Sequence, residues 1–149
     1  SMPDGFVTRL STWQAAYGAA RITRLASEVA RRRSIAERYS AWLRDMGKTV
    51  PAEPDGVVHA FLRYPILVTN RSEFAAAAEH AGVDLGDWFV SPIHPVVESM
   101  ERWGYAPELA PRAERVCSEI VNLPIMPSLS DREVDDVIRF LSDHLGQIE

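Results

Sequence analysis

Residues 119–141, "EIVNLPIMPSLSDREVDDVIRFL", decide how the chain is read. An apolar run ends in Leu123-Pro124 and a second proline, Pro127, follows. Ser130 then stands three residues before Glu133, the spacing of a capping box. Val134, Val137, Ile138, Leu141 and Leu145 recur at helical spacing, so the stretch predicts a strand, a turn and an amphipathic helix. No reactive centre accompanies this punctuation, which places any chemistry elsewhere.

Working outward, the pattern alternates between helix and strand. Asn70 with Glu73 predicts a second capped helix, ending at Gly82. Before it, "VVHAFLRYPILV" (57–68) is β-branched and aromatic, as strands are, and Pro65 points to an edge strand or a bulge. "GVDLGDWFV" (82–90) reads as a short strand, and the prolines of "SPIHP" (91–95) predict an extended path. Residues 96–103 predict a short helix, 111–116 a helical turn, and "CSEIVNL" (117–123) a strand. Upstream, apolar residues from Leu10 to Met46 recur mostly at spacings of three and four, which predicts one long helix. Its phase slips near Gly18, where a kink is expected, and Gly47 supplies a C-terminal stop. The expected fold is α+β: a long N-terminal helix, then a small, mainly antiparallel sheet with helices packed on one face.

Composition narrows the function classes. The chain has 149 residues, 46% hydrophobic and 25% charged, with a formal net charge of −5. That suits an ordinary globular domain and argues against a nucleic-acid partner. No stretch approaches the roughly 18 apolar residues of a membrane span, and no signal peptide is legible, so neither a membrane nor export is expected. Cys117 is the only cysteine, which fits a reducing, cytoplasmic setting. Ser1 before Met2 reads as a tag scar and start. Fifteen arginines accompany a single lysine, Lys48, the one candidate for Schiff-base chemistry.

The candidate site residues compete with plainer readings. His94, between Pro92 and Pro95 and after Trp88 and Phe89, suits a pocket-lining donor or base, or a structural histidine bonding a loop carbonyl. Cys117 with His94 makes a conceivable nucleophile–base pair, against a small buried hydrophobe. His59, His80, His94 and His144 lack ligand spacing, so no metal site is expected. Arg31, Arg32 and Arg33 fan across about 200° of a helix, which favours a solvated face over one phosphate site. Asp84, Asp87, Glu98 and Glu101 form no obvious carboxylate pair. The residues alone give no catalytic set.

The segments in order do resemble a known family. "GFVTRLSTWQAAYGAARITRL" (5–25) is similar to the stretch after the cofactor lysine of DegT/DnrJ/StrS-type sugar aminotransferases. "RRRSIAERYSAWL" (31–43) resembles the helix that follows there, and "DLGDWFVSPIHP" (84–95) the segment with a Pro-x-His near the substrate. "APRAERVCSEIVNLPIMPSLSDREVDDVIRFL" (110–141) resembles the family's terminal Leu-Pro, Pro-x-Leu and helix. The resemblance implies the C-terminal small domain of a fold-type I enzyme that uses pyridoxal phosphate (PLP). Such enzymes move an amino group, normally from glutamate, to a nucleotide-linked keto-sugar. The cofactor lysine is absent, and Lys48 does not fall in its motif. Val7 stands where the family has an Asn that helps hold the cofactor phosphate, and an apolar side chain cannot donate there.

The division this implies is a scar and start at 1–2, a connecting helical segment at 3–48, and a small α+β domain at 49–149. His94 is the substrate-side contact that the resemblance implies. The whole protein is expected to be a homodimer that takes PLP and a nucleotide sugar. This chain alone is expected to bind no cofactor and to be inactive. The alternatives are a stand-alone interaction module or degenerate paralogue that self-associates through the N-terminal helix, and a small-ligand-binding domain with His94 in its pocket.

Overall fold

The computed structural model describes residues 9–149. Ser1, Met2 and Val7 lie outside the described residues. The element order is α1 (Thr12–Ile22), α2 (Leu25–Asp45), β1 (Tyr64–Leu67), α3 (Arg71–His80), α4 (Pro111–Glu119), β2 (Ile120–Leu123) and α5 (Asp131–Asp143). Short 3-10 turns occupy Met100–Trp103 and Leu145–Gln147.

The long N-terminal periodicity is divided at Thr23 and Arg24, not at Gly18. Local bonds explain the position: Thr23 Oγ1 donates to the Ala20 carbonyl at 2.8 Å, and the Arg24 N–H donates to Arg21 O at 3.0 Å. A side-chain hydroxyl that competes for a helix carbonyl helps to end the helix. Gly18 sits inside α1 with open space around it. Gly47 does terminate α2. It adopts φ +68, and the Lys48 N–H closes back on Leu43 O at 2.8 Å.

β1 and β2 pair antiparallel, with Tyr64 opposite Leu123 and Ile66 opposite Val121. Partners share a face of the sheet. That face carries Tyr64, Ile66, Val121 and Leu123, all buried in the core. Over it lie Ile35, Tyr39 and Leu43 of α2, Phe74 and Ala78 of α3, and Val134, Val137, Phe140 and Leu141 of α5. Tyr39 meets Tyr64 edge-on at 5.4 Å and Phe74 meets Phe140 at 5.1 Å. The two buried phenols are satisfied: Tyr39 donates to Pro124 O at 2.9 Å and Tyr64 shares a 2.7 Å bond with Ser40. Burial pushes both phenols' pKa values upward. The α+β expectation, with helices on a small antiparallel sheet, is therefore met.

Several local expectations are corrected. The strand expected over 57–68 is confined to Tyr64–Leu67. "GVDLGDWFV" contributes one bridge, Gly86 to Asn122, and then turns. Phe89 has φ +67, outside the extended region, so the strand cannot continue. "SPIHP" is not extended either. It folds into turns closed by His94 N–H to Ser91 O at 3.1 Å and Val96 N–H to Ile93 O at 3.2 Å, with a cis His94–Pro95 bond. Residues 117–119 belong to α4, which runs on to Glu119 instead of stopping as a single turn. Pro111 at its first position suits a helix start.

Residues 147–149 are tied to the sheet and to α2's end. The Glu149 N–H donates to Leu67 O at 3.0 Å, the Thr69 N–H donates to Gln147 O at 2.9 Å, and Lys48 Nζ donates to Ile148 O. By alternation along β1, the proline nitrogen of Pro65 faces away from β2, on the same side as Leu67. The missing N–H therefore costs the ladder nothing.

α1 differs from the rest. None of its residues is buried. Trp13 is 87% exposed, and Leu10, Tyr17 and Ile22 are exposed with it.

Candidate functional site

The turn after Gly86 gathers the residues singled out in the sequence. It follows α3, whose Asn70 side chain caps the Glu73 N–H at 3.2 Å, and it departs from the sheet at the Gly86–Asn122 bridge. Gly86 packs closely there: a Cβ on it would lie 3.2 Å from Asn122 Cβ, tighter than ordinary contact. Trp88 and Phe89 then flank His94, with ring centroids at 5.3 and 5.9 Å. His94 Nδ1 is buried and has no hydrogen-bond partner among the described residues, and the same holds for Ser91 Oγ. Such atoms are rare in native folds and call for a ligand or a water. Trp88 and Phe89 therefore pack around His94, whose Nδ1 is left without a partner among the described residues.

The other candidates take structural roles. Cys117 sits near the C-terminal end of α4, and desolvation raises its thiol pKa while Arg71 lowers it. A nucleophilic cysteine needs the opposite net shift. Arg31 donates to Asp131 at 2.9 Å and to Leu129 O, and Arg33 donates to Glu53 at 2.7 Å and to His59 O. Those side chains tie α2 to neighbouring segments. His59 Nδ1 accepts the Phe61 N–H at 2.8 Å, and His144 lies against Phe140 at 4.4 Å. Among the described residues no group of His, Cys, Asp and Glu could hold a metal ion. No helix of the described residues is long and apolar enough to cross a membrane.

Sequence reasoning missed a second feature beside the turn. The Arg63 guanidinium lies 4.6 Å over the Trp88 ring, in cation–π geometry. Arg32, Arg63, Trp88 and Asn122 line a cavity of about 220 Å³. Asn122 interrupts the apolar run "EIVNLPI", and that single polar letter was the available signal.

A match with known proteins gives this geometry its setting. Residues 2–142 match the DegT/DnrJ/EryC1/StrS aminotransferase family. The chain belongs to this family. It is 32% identical to a dTDP-3-amino-3,4,6-trideoxy-alpha-D-glucose transaminase of Micromonospora megalomicea subsp. nigra, over 90% of this chain and 37% of that protein. The crystal structure of a DegT/DnrJ/EryC1/StrS aminotransferase from Brucella abortus superposes with a TM-score of 0.78 at 31% identity, over 93% of this chain and 37% of that one. The structure of NtdA from Bacillus subtilis with bound cofactor PMP shares the fold, at a TM-score of 0.77 and 23% identity, over 99% of this chain and 35% of that one. The chain thus spans little more than a third of the length of these relatives, as a small domain of such an enzyme would.

The family is PLP-dependent, and the described residues do not by themselves fit that cofactor. Its only lysine, Lys48, is engaged with the Ile148 carbonyl at the end of α2. No step through PLP is derived for this chain alone.

Proposed function

We propose that this chain is the C-terminal part of a PLP-dependent aminotransferase that acts on a nucleotide-linked keto-sugar. Residues 3–48 are then the connecting segment, anchored from Ile35 onward in the core of the small domain at 49–149. A lysine outside this chain carries the cofactor, which supplies the electron sink for amino transfer. The chain alone has no transferase activity. The whole protein is a cytoplasmic homodimer without nucleic-acid or membrane partners; this chain's net charge of −5 supports the nucleic-acid part of that reading.

One observation carries the proposal: His94 presents a buried, unpartnered ring nitrogen between Trp88 and Phe89, in the segment that resembles the family's Pro-x-His. Leaving such an atom unmet costs about 1–3 kcal/mol, which a substrate hydroxyl or phosphate would offset. The two aromatic rings hold the imidazole in place, and the 3.1 Å bond from His94 N–H to Ser91 O holds its backbone. The chain's part is to form one wall of a cleft, orient the sugar and exclude water.

The test uses the whole protein containing this segment, supplied with PLP, glutamate and a panel of nucleotide-linked keto-sugars. Amino-sugar formation is expected. His94→Ala should lower kcat/KM by a few-fold to about a hundred-fold with melting nearly unchanged. A marked drop in melting temperature with intact kinetics would return His94 to a structural role. This chain mixed with PLP should give no stoichiometric adduct that Lys48→Ala abolishes.

A second reading, a self-associating interaction module, is favoured by one observation. α1 leaves Trp13, Tyr17 and Ile22 exposed on a capped helix, with Leu10 exposed just before it.

A further inference from the structure

Between α2 and β1, residues 48–63 cross the molecule without helix or strand. Arg33 of α2 ties this strap down, donating to Glu53 at 2.7 Å and to the His59 carbonyl at 2.6 Å. The His59 N–H donates to the same Glu53 oxygen at 2.7 Å. His59 also closes a turn of its own. Its Nδ1 accepts the Phe61 N–H, two residues on, at 2.8 Å. Asparagine and aspartate make that bond in an Asx turn, and here an imidazole nitrogen stands in for their oxygen.

Phe61 is the residue this turn holds. Its φ of +47 lies in the left-handed region, which is costly for a bulky side chain. Its ring is 6% exposed, 4.4 Å from the His59 ring and 5.7 Å from that of Tyr64. Such backbone strain persists only where the surroundings hold it. Here the core holds the ring and His59 holds the amide.

A ring nitrogen accepts only while it carries no proton, so the neutral imidazole keeps its hydrogen on Nε2. A proton on Nδ1 would set a donor against the Phe61 N–H. His59 is exposed, so water can deliver that proton. The charged groups on this side of the molecule are Glu53 and Arg33, with Glu37 and Arg44 further along α2 paired to each other at 2.7 Å. Glu53 favours a charged ring and Arg33 opposes it, and these two are already spent on one another.

We propose that His59 is an acid-sensitive latch: with Nδ1 unprotonated the strap is closed on α2, and a proton on Nδ1 frees Phe61 from the core. The closed latch excludes the proton, so closure is complete above histidine's ordinary titration range of about pH 5–8 and fades as pH falls through it. Opening uncovers a cavity of about 380 Å³ between the strap and α2, whose α2 wall is Arg33, Glu37, Ser40 and Arg44. The sheet stays paired beneath it, with Tyr64 still bonded to Ser40. The latch does not depend on the transferase function proposed above.

The experiment follows this chain by nuclear magnetic resonance from about pH 8 to about pH 5. Hydrogen bonds from Arg33 and from the His59 N–H hold the Glu53 carboxyl below its ordinary value of 4.5, so Glu53 stays ionised throughout. The Phe61 amide and the Phe61 and Tyr64 ring signals should move with the midpoint of the His59 imidazole. Protection of the Phe61 amide from exchange should fall by about five- to a hundred-fold. His59→Asn keeps an acceptor for the turn and has no proton to gain, so its Phe61 signals should stay put while His80, His94 and His144 titrate as before. His59→Ala should show the open spectrum at Phe61 across the whole range. A His59 imidazole that titrates while Phe61 does not move overturns the proposal. So does an imidazole that takes no proton by about pH 5, or a Phe61 response that survives in His59→Asn.

Discussion

Ser11 and Ser130 start their helices in the same way. Each side chain accepts the N–H three residues on, and the residue there, Gln14 or Glu133, reaches back to the serine N–H. Yet α5 buries Val134, Val137, Phe140 and Leu141, whereas α1 buries nothing. A cap sets where a helix begins, and what the helix packs on decides whether it contributes to cooperative stability. α5 has its partners in α2 and the sheet, with Arg31 and Arg38 also pairing to Asp131 at 2.9 and 3.4 Å. The apolar side chains of α1 have no partner among the described residues.

The largest expected difference is in the side chains themselves. Phe140→Ala should cost about 3–5 kcal/mol in urea unfolding, because it empties a buried site beside Phe74. Trp13→Ala should stay within about 0.5 kcal/mol, as exposed positions do. Equal losses would mean that α1 is packed in solution, and the contrast would collapse.

A smaller effect concerns association. Each large apolar side chain of α1 that becomes buried gains about 1.5–3 kcal/mol, so at high concentration the chain should form dimers or larger species by light scattering. A Trp13→Ser, Tyr17→Ser variant should return it to monomer. If the unaltered chain is already a clean monomer, the exposed side chains of α1 are not adhesive.

Smaller again is the cap. Ser130→Ala should remove about 1 kcal/mol from global stability, while Ser11→Ala should lower helix content by circular dichroism and leave the urea midpoint alone. A midpoint shift in both variants would couple α1 to the core.

Acid gives the finest contrast. Hydrogen bonds from Ser130 hold the Glu133 carboxyl below its ordinary value of 4.5. A lowered folded-state pKa means that the contribution is complete above the ordinary carboxylate range. It fades as pH falls through the lowered value. Gln14 has no proton to gain, so the start of α1 should ignore the same titration. Glu133→Gln should flatten the small acid-limb loss in α5. An unchanged acid limb in that variant would show that other carboxylates, such as the Arg33-bound Glu53, carry it.

The caps were legible in the sequence because they act within three or four residues, and Asn70, Ser130, Gly47 and Gly82 all behave as their spacing predicts. The strands were overread. β-branched residues at 57–63 look like strand, but only residues that meet β2 pair, and Phe61 at φ +47 turns away. The helix break moved from Gly18 to Thr23 because a hydroxyl–carbonyl bond decided it, where a glycine in open space exerts no force. In the site, His94 with its aromatic neighbours was readable because all three lie within seven residues. Arg63 over Trp88 and Asn122 beside both join segments far apart in sequence, which no local pattern encodes.

The sheet has a further consequence for how this chain meets copies of itself. A strand flank with free N–H and C=O groups invites another chain to add on and grow a fibril. Here one flank of the pair is taken by Gly86 against Asn122, and the other by Glu149 against Leu67, with Pro65 offering no N–H beside it. Among the described residues, each flank of the pair is therefore partly taken. That leaves less strand backbone for a second copy to add on to, so the exposed side chains of α1 are the larger adhesive surface among the described residues.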